Sequence, residues 1–149
     1  YLANLTGFDK AKVIGSGTLI DTNRLKNRAG REDVLVIGEH GESQVALNVT
    51  PDIEKQATGT GWEIYAAKHH TAFGIASSVA RIIRVLKTDT RELLPVSSYD
   101  EVENCYYATL TELTLENGVV QRVLPSLNNL ETDRLTQSIQ TIKRNYLEI

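Results

Sequence analysis

His40 stands in the string Gly38-Glu39-His40-Gly41-Glu42-Ser43, directly after the apolar run Val34-Leu35-Val36-Ile37. A strand there delivers one imidazole to a glycine-flanked bend, where its ring can face a cleft rather than a packed core. Histidine is the side chain whose unperturbed pKa, roughly 6.5, lets it take and return a proton near neutral pH. Upstream, Asp21 and Arg24 sit three residues apart in Asp21-Thr22-Asn23-Arg24. On a helix that spacing turns both side chains to one face. An imidazole, a carboxylate to orient it and a guanidinium to hold a substrate anion are the parts of an acid–base site. The same residues also suit plainer duties, His40 in a turn and Asp21 as a helix cap.

The elements that must position these groups are legible from periodicity and punctuation. Tyr1 to Phe8 reads as the last turns of a helix that began before this sequence does, with Leu2, Leu5 and Phe8 at helical spacing and Gly7 suited to its end. Lys12 to Ile14 reads as a short strand, and Gly15 to Thr18 as a tight turn through which backbone can approach a ligand. A helix capped by Thr18 or Asp21 then carries Asp21, Arg24 and Leu25 and ends near Gly30. After the histidine bend, Gln44 to Val49 alternates polar and apolar, as a second strand does. Pro51 opens a helix with Asp52 and Glu54 at its positive end, and Gly59 and Gly61 are expected to break it early. A helical run resumes at Trp62 and continues to Lys87, interrupted around His70 to Gly74. Arg91–Ser98 and Asn104–Glu116 read as antiparallel strands. Glu116-Asn117-Gly118 is a hairpin turn and Val119–Leu124 the return strand. A last helix begins near Leu130, with Leu135, Ile139, Ile142 and Tyr146 as its buried stripe. The fold class is α+β, long helices packed on antiparallel strands, in one domain over residues 1–149.

Composition bounds the function. At 149 residues and 41% hydrophobic content the chain can bury a real core. No apolar run approaches the ~20 residues that span a membrane, and the opening residues lack the basic flank and apolar core of a secretory signal. Net charge is −3 with scattered basic residues, which argues against a nucleic-acid surface. Cys105 is the single cysteine and reads as a quiet core thiol, which suits a reducing cytoplasm. No Cys/His cluster has metal-ligand spacing; His69 and His70 are adjacent and diverge on a helix.

Three strings occur in order: Val13-Ile14-Gly15-Ser16-Gly17-Thr18, then Leu19-Ile20-Asp21-Thr22-Asn23-Arg24, then Gly38 to Ser43. Together they resemble the second half of the L-lactate dehydrogenase and L-2-hydroxy acid dehydrogenase family, within the lactate/malate dehydrogenase superfamily. That family reads V-I-G-S-G-T, then L-D-[ST]-A-R, then G-E-H-G-[DN]-S. The resemblance implies that His40 is the proton acceptor for the substrate hydroxyl and the donor in reverse. It makes Asp21 the carboxylate that fixes the tautomer of His40, and Arg24 the grip on the substrate carboxylate. Lys68-His69-His70-Thr71-Ala72-Phe73-Gly74-Ile75 resembles the family's K-G-Y-T-S-[WY]-[AG]-[IV]. Thr71 is then a substrate-pocket residue and Ile75 the apolar neighbour of a nicotinamide ring, with Ser16 near its carboxamide.

The cofactor implied is NAD, bound chiefly by an N-terminal Rossmann half that lies outside these residues. The implied substrate is a small 2-hydroxy or 2-oxo acid, lactate-type by Gly-Glu-His-Gly, with 2-hydroxyisocaproate and malate as alternatives. Family members form dimers or tetramers, so a homo-oligomer is expected. Without its nucleotide-binding half the chain is expected not to turn over. A rival reading, a non-enzymatic assembly or binding module that keeps the half-fold, draws on a departure: the segment from Arg24 to His40 is shorter than in the family. Two further departures stand where members activated by fructose 1,6-bisphosphate carry an arginine and a histidine. Here they are Lys26 and Asp33, and a carboxylate repels a phosphate, so no activation by that sugar phosphate is expected.

Overall fold

A computed structural model describes residues 1–147. Helix α1 (Leu2–Thr6) ends at Gly7 in the left-handed conformation. The strand expected over Lys12–Ile14 is not formed. The Asp9 carboxylate accepts from the Ala11 N–H at 2.9 Å and commits Lys10–Lys12 to a 3-10 turn. Pairing is reduced to Gly15, which exchanges two backbone bonds with Ser97 at 2.8 and 2.9 Å.

Helix α2 (Gly17–Ala29) is the central element, ending at Gly30 in the left-handed conformation. Neither expected cap acts as one. Thr18 is buried and donates to Pro95 O at 3.0 Å, and Asp21 lies inside the helix, because Ser16 already occupies the cap position. Strands β1 (Leu35–Ile37) and β2 (Val45–Leu47) pair antiparallel, Leu35 opposite Leu47 and Ile37 opposite Val45. The alternation expected across β2 as buried and exposed is instead a division between two cores, and all three residues are buried. Val45 and Leu47 join Ile37, Tyr107, Leu135 and Ile139, whereas Ala46 joins Leu25, Val34, Val36 and Ala57.

Helix α3 (Pro51–Lys68) runs unbroken through Gly59 and Gly61, against expectation. Each glycine costs about 1 kcal/mol relative to alanine. The offset is tertiary: Ala57 is packed into the α2/β1/β2 core, and the helix start has Pro51 with Asp52 and Glu54. The expected interruption falls at His69, which is left-handed, and helix α4 (Ala72–Thr88) starts after Thr71. Ile82 and Val85 of α4 pack with Leu19, Leu94, Val96 and Leu113.

Strands β3 (Leu93–Asp100), β4 (Cys105–Thr114) and β5 (Gly118–Val123) form an antiparallel three-stranded sheet in that order, with a register shift between Glu112 and Leu113. Helix α5 (Asn129–Leu147) closes the fold. Leu135 and Ile139 are buried and Ile142 packs beside them, but Tyr146 is 48% exposed, a correction to the expected stripe. Its hydroxyl accepts from Asn4 Nδ2 at 3.1 Å, so the ring lies at the surface where its polar tip is satisfied. Cys105 is half-buried, and burial pushes its thiol pKa up. The two sheets are stitched together at one point, where Gly38 and Ala108 exchange backbone bonds of 2.9 Å each. That stitch lies two residues before His40.

Candidate active site

Asp21 lies on the face of α2 that looks toward the end of β1, and the Gly38–Ser43 bend returns His40 to it. His40 Nδ1 is 2.6 Å from Asp21 Oδ2. Opposite an ionised carboxylate, which only accepts, Nδ1 carries the proton and Nε2 is left as an acceptor. Asp21 Oδ1 accepts from Arg24 Nη1 at 3.3 Å, one helical turn along, as the spacing implies. One carboxylate thus spans both partners. The side chains grade from buried to open: Asp21 is 9% exposed, Arg24 18% and His40 56%. The hydrogen bond to Asp21 raises the His40 pKa; partial burial and the Arg24 charge oppose the rise without cancelling it.

These three side chains line a cavity of about 620 Å³ together with Thr71, Ile75 and Trp62, a size suited to small molecules. A neighbouring cavity of about 290 Å³ shares Ile20, Arg24 and Thr71 and adds Lys68 and His70. Thr71 occupies the cap position of α4 without a side-chain cap bond, so its hydroxyl is left for another partner. Ser16 likewise caps α2 without using its hydroxyl. It does not line the larger cavity, but it precedes Gly17, whose backbone touches the His40 ring. Ile75 is 46% exposed. Asp33 and Lys26 are taken up locally, by Arg31 at 2.5 Å and Glu32 at 2.9 Å.

Two glycines make room for this arrangement, and sequence reasoning gave neither that role. A Cβ on Gly17 would lie 2.5 Å from His40 Cδ2 and 2.6 Å from His40 Cβ. The glycine-bearing turn therefore admits the imidazole of the same chain. A Cβ on Gly61 would lie 3.1 Å from Arg24 Nη1, so the glycine expected to break α3 instead gives the guanidinium its berth. The available signal was glycine inside a helical pattern, which marks close packing when a helix runs through it.

No protein-family model matches the sequence. Among curated proteins, an L-lactate dehydrogenase of Clostridium botulinum (strain 657 / Type Ba4) is 28% identical over 176 residues, covering 93% of this chain and 55% of that protein. The L-lactate dehydrogenase of Halalkalibacterium halodurans is 31% identical over 166 residues, 93% of this chain and 54% of that protein. Among solved structures, a malate dehydrogenase from Archaeoglobus fulgidus in complex with NADH superposes with a TM-score of 0.89 at 24% identity, covering 99% of this chain and 56% of that one. The chain belongs to the lactate/malate dehydrogenase superfamily. It corresponds to the C-terminal half of the curated superfamily members it matches and spans about half their length. An L-lactate dehydrogenase from Clostridium thermocellum shares the fold as well, at a TM-score of 0.86 and 23% identity over 99% of this chain and 60% of that one. The α+β architecture is thus that of these dehydrogenases. The 176-residue match is longer than the 149-residue chain, so the C. botulinum protein carries internal residues that this superfamily member lacks. A shortened passage from Arg24 to His40 is consistent with that. The short passage still brings His40 to Asp21.

Proposed function

We propose that the chain is the catalytic half of an NAD-dependent L-2-hydroxy acid dehydrogenase, lactate-type, with His40, Asp21 and Arg24 as its working groups. The observation that supports this best is the single carboxylate bridging an imidazole and a guanidinium at the wall of an open cavity. Arg24 holds the substrate carboxylate in a two-pronged bond, which fixes the reacting carbon and removes much of the entropy of the encounter. Nε2 of neutral His40 takes the hydroxyl proton as the carbon is oxidised; in reverse, the imidazolium returns it. Asp21 stays ionised and stabilises the charge that forms on the ring. Thr71 borders the substrate side chain. Two groups fit a nicotinamide: the uncommitted Ser16 hydroxyl for its carboxamide and the exposed Ile75 for the ring. NAD, when bound, would accept the hydride and NADH would supply it.

The proposed partner is an N-terminal nucleotide-binding half. Trp62, Tyr65 and Ile75 at the larger cavity and Phe73 at the smaller one are exposed and leave apolar surface there, of the kind that marks an interaction face. The same reading carries a cytoplasmic homo-oligomer. A malate-type substrate is a second reading, favoured by Lys68 and His70, which share the smaller cavity with Arg24 and Thr71 and offer nitrogens to a second carboxylate.

The test is loss of NADH absorbance with pyruvate, 2-oxoisocaproate and oxaloacetate, with and without a relative's nucleotide-binding half. Turnover once that half is supplied supports the enzyme, and the preferred acid picks the subtype. Silence with the halves shown to associate leaves the non-enzymatic assembly module.

A further inference from the structure

We propose that Ser138 is a positioning residue whose buried hydroxyl pins the peptide leading into His40, so that helix α5 sets the alignment of the imidazole with Asp21. This rests on the acid–base role proposed for His40. Ser138 is 0% exposed and sits on the apolar face of α5 between Leu135 and Ile139. A hydroxyl buried among aliphatic neighbours costs stability unless it is bonded. Here Ser138 Oγ accepts the Glu39 N–H at 2.8 Å, from a residue 99 positions away in sequence. The Ser43 hydroxyl approaches the same oxygen at 3.3 Å. The Glu39 carboxylate in turn accepts the Ser43 N–H at 3.2 Å and is hydrogen-bonded by the Ser43 hydroxyl, closing the bend on itself.

Gly38 completes the fit. Its φ is +84°, a region that disfavours any residue with a Cβ, and a Cβ there would lie 2.5 Å from Ser138 Oγ. The two residues preceding His40 are therefore held from different elements, Gly38 by Ala108 of β4 and Glu39 by Ser138 of α5. Losing the α5 tether frees the Glu39 peptide to rotate. His40 then moves relative to Asp21, while Asp21 and Arg24, both on α2, stay in place. The effect is accordingly specific to the proton-transfer group and leaves the substrate-anion grip alone.

The experiment is an NMR pH titration of all three histidines in the 149-residue chain, comparing wild type with Ser138→Ala and with Ser138→Cys, which keeps the volume but is a poor acceptor. The charged groups around His40 are Asp21 and Arg24 on α2, Glu39 beside it and Glu42 at the cavity wall; only the bond to Asp21 should weaken. The expected result is a His40 titration that moves down toward the ordinary histidine value, with His69 and His70 unmoved. Joined to a nucleotide-binding half, each variant should lose about tenfold in kcat with KM for the 2-oxo acid nearly constant. An unmoved His40 titration in a folded variant overturns the proposal. So does global unfolding of both variants, since Ser138 would then be a structural residue. If wild type shows no dehydrogenase activity but its His40 still responds to Ser138, the functional reading fails and the positioning role stands.

Discussion

Gly17→Ala is the substitution that most sharply tests the proposed chemistry. Gly17 is the first residue of α2, where alanine is favoured over glycine by up to about 1 kcal/mol, so local propensity alone predicts stabilisation. The site predicts the reverse. The new methyl would lie 2.5 Å from His40 Cδ2 and 2.6 Å from His40 Cβ, whereas carbons in comfortable contact stand about 3.5 Å or more apart. Rotating the ring relieves only the first clash. The second requires the His40 backbone to retreat by about 1 Å, the shortfall against that contact distance. The Gly38–Ala108 bonds oppose that movement, and overpacking of this kind typically costs about 1–3 kcal/mol. A displacement of that size stretches the 2.6 Å bond from His40 Nδ1 to Asp21 Oδ2 beyond hydrogen-bonding range. A misplacement of about 1 Å can lower a rate about a hundredfold, or ~2.7 kcal/mol of barrier. The assays are thermal unfolding, the NMR titration of His40 and kcat for 2-oxo acid reduction with a nucleotide-binding half supplied. A stabilised Gly17→Ala protein whose His40 titration and kcat match wild type would refute the reasoning.

Asp21→Asn should bring the His40 pKa down, since the bond to Asp21 is the main cause of its rise. Reduction needs the imidazolium, so its rate falls as pH rises through that pKa, and a pH–rate profile of Asp21→Asn should show the fall at lower pH. The pair also links to stability. With the folded-state pKa raised, its contribution is complete below the unfolded histidine value and lost as pH rises through the folded one. The stability gap between wild type and Asp21→Asn, measured by urea unfolding, should therefore narrow as pH rises; the open His40 ring keeps it small. Arg24→Ala should raise KM for the 2-oxo acid by about 2–5 kcal/mol of lost binding, seen in steady-state kinetics, while the His40 titration keeps its Asp21-dependent rise. Gly61→Ala should gain roughly 1 kcal/mol of helix propensity in α3. It should also nudge Arg24 by a few tenths of an ångström and raise KM more than it lowers kcat.

How much of this was legible before the structure depended on whether a feature is local. The α5 stripe of Leu135 and Ile139, the Asn117-Gly118 hairpin and the stop of α2 at Gly30 follow from periodicity and backbone chemistry. The Asp21–Arg24 pair follows from helical spacing. Errors came where one particular contact outweighed a general pattern. Lys12–Ile14 had strand-like residues but an Asp9 carboxylate that favoured a turn. Gly59 and Gly61 read as breakers, yet α3 continues because Ala57 is packed below it and Arg24 needs the space at Gly61. Tyr146 kept the period of the stripe, but its hydroxyl is satisfied at the surface by Asn4.

The sequence by itself determined which chemical groups this protein can bring to a site: one imidazole on a bend, one carboxylate and one guanidinium a helical turn apart, and hydroxyls at Ser16 and Thr71. Residue type and the 3.6-residue period suffice for that. Only the tertiary structure decided that His40 closes on Asp21 across a sequence separation of 19. It also decided that Gly17 admits the ring and that Gly61 seats the guanidinium. Contacts of that kind depend on how whole elements pack, and packing sums many weak interactions between residues far apart in the chain, which no local pattern records.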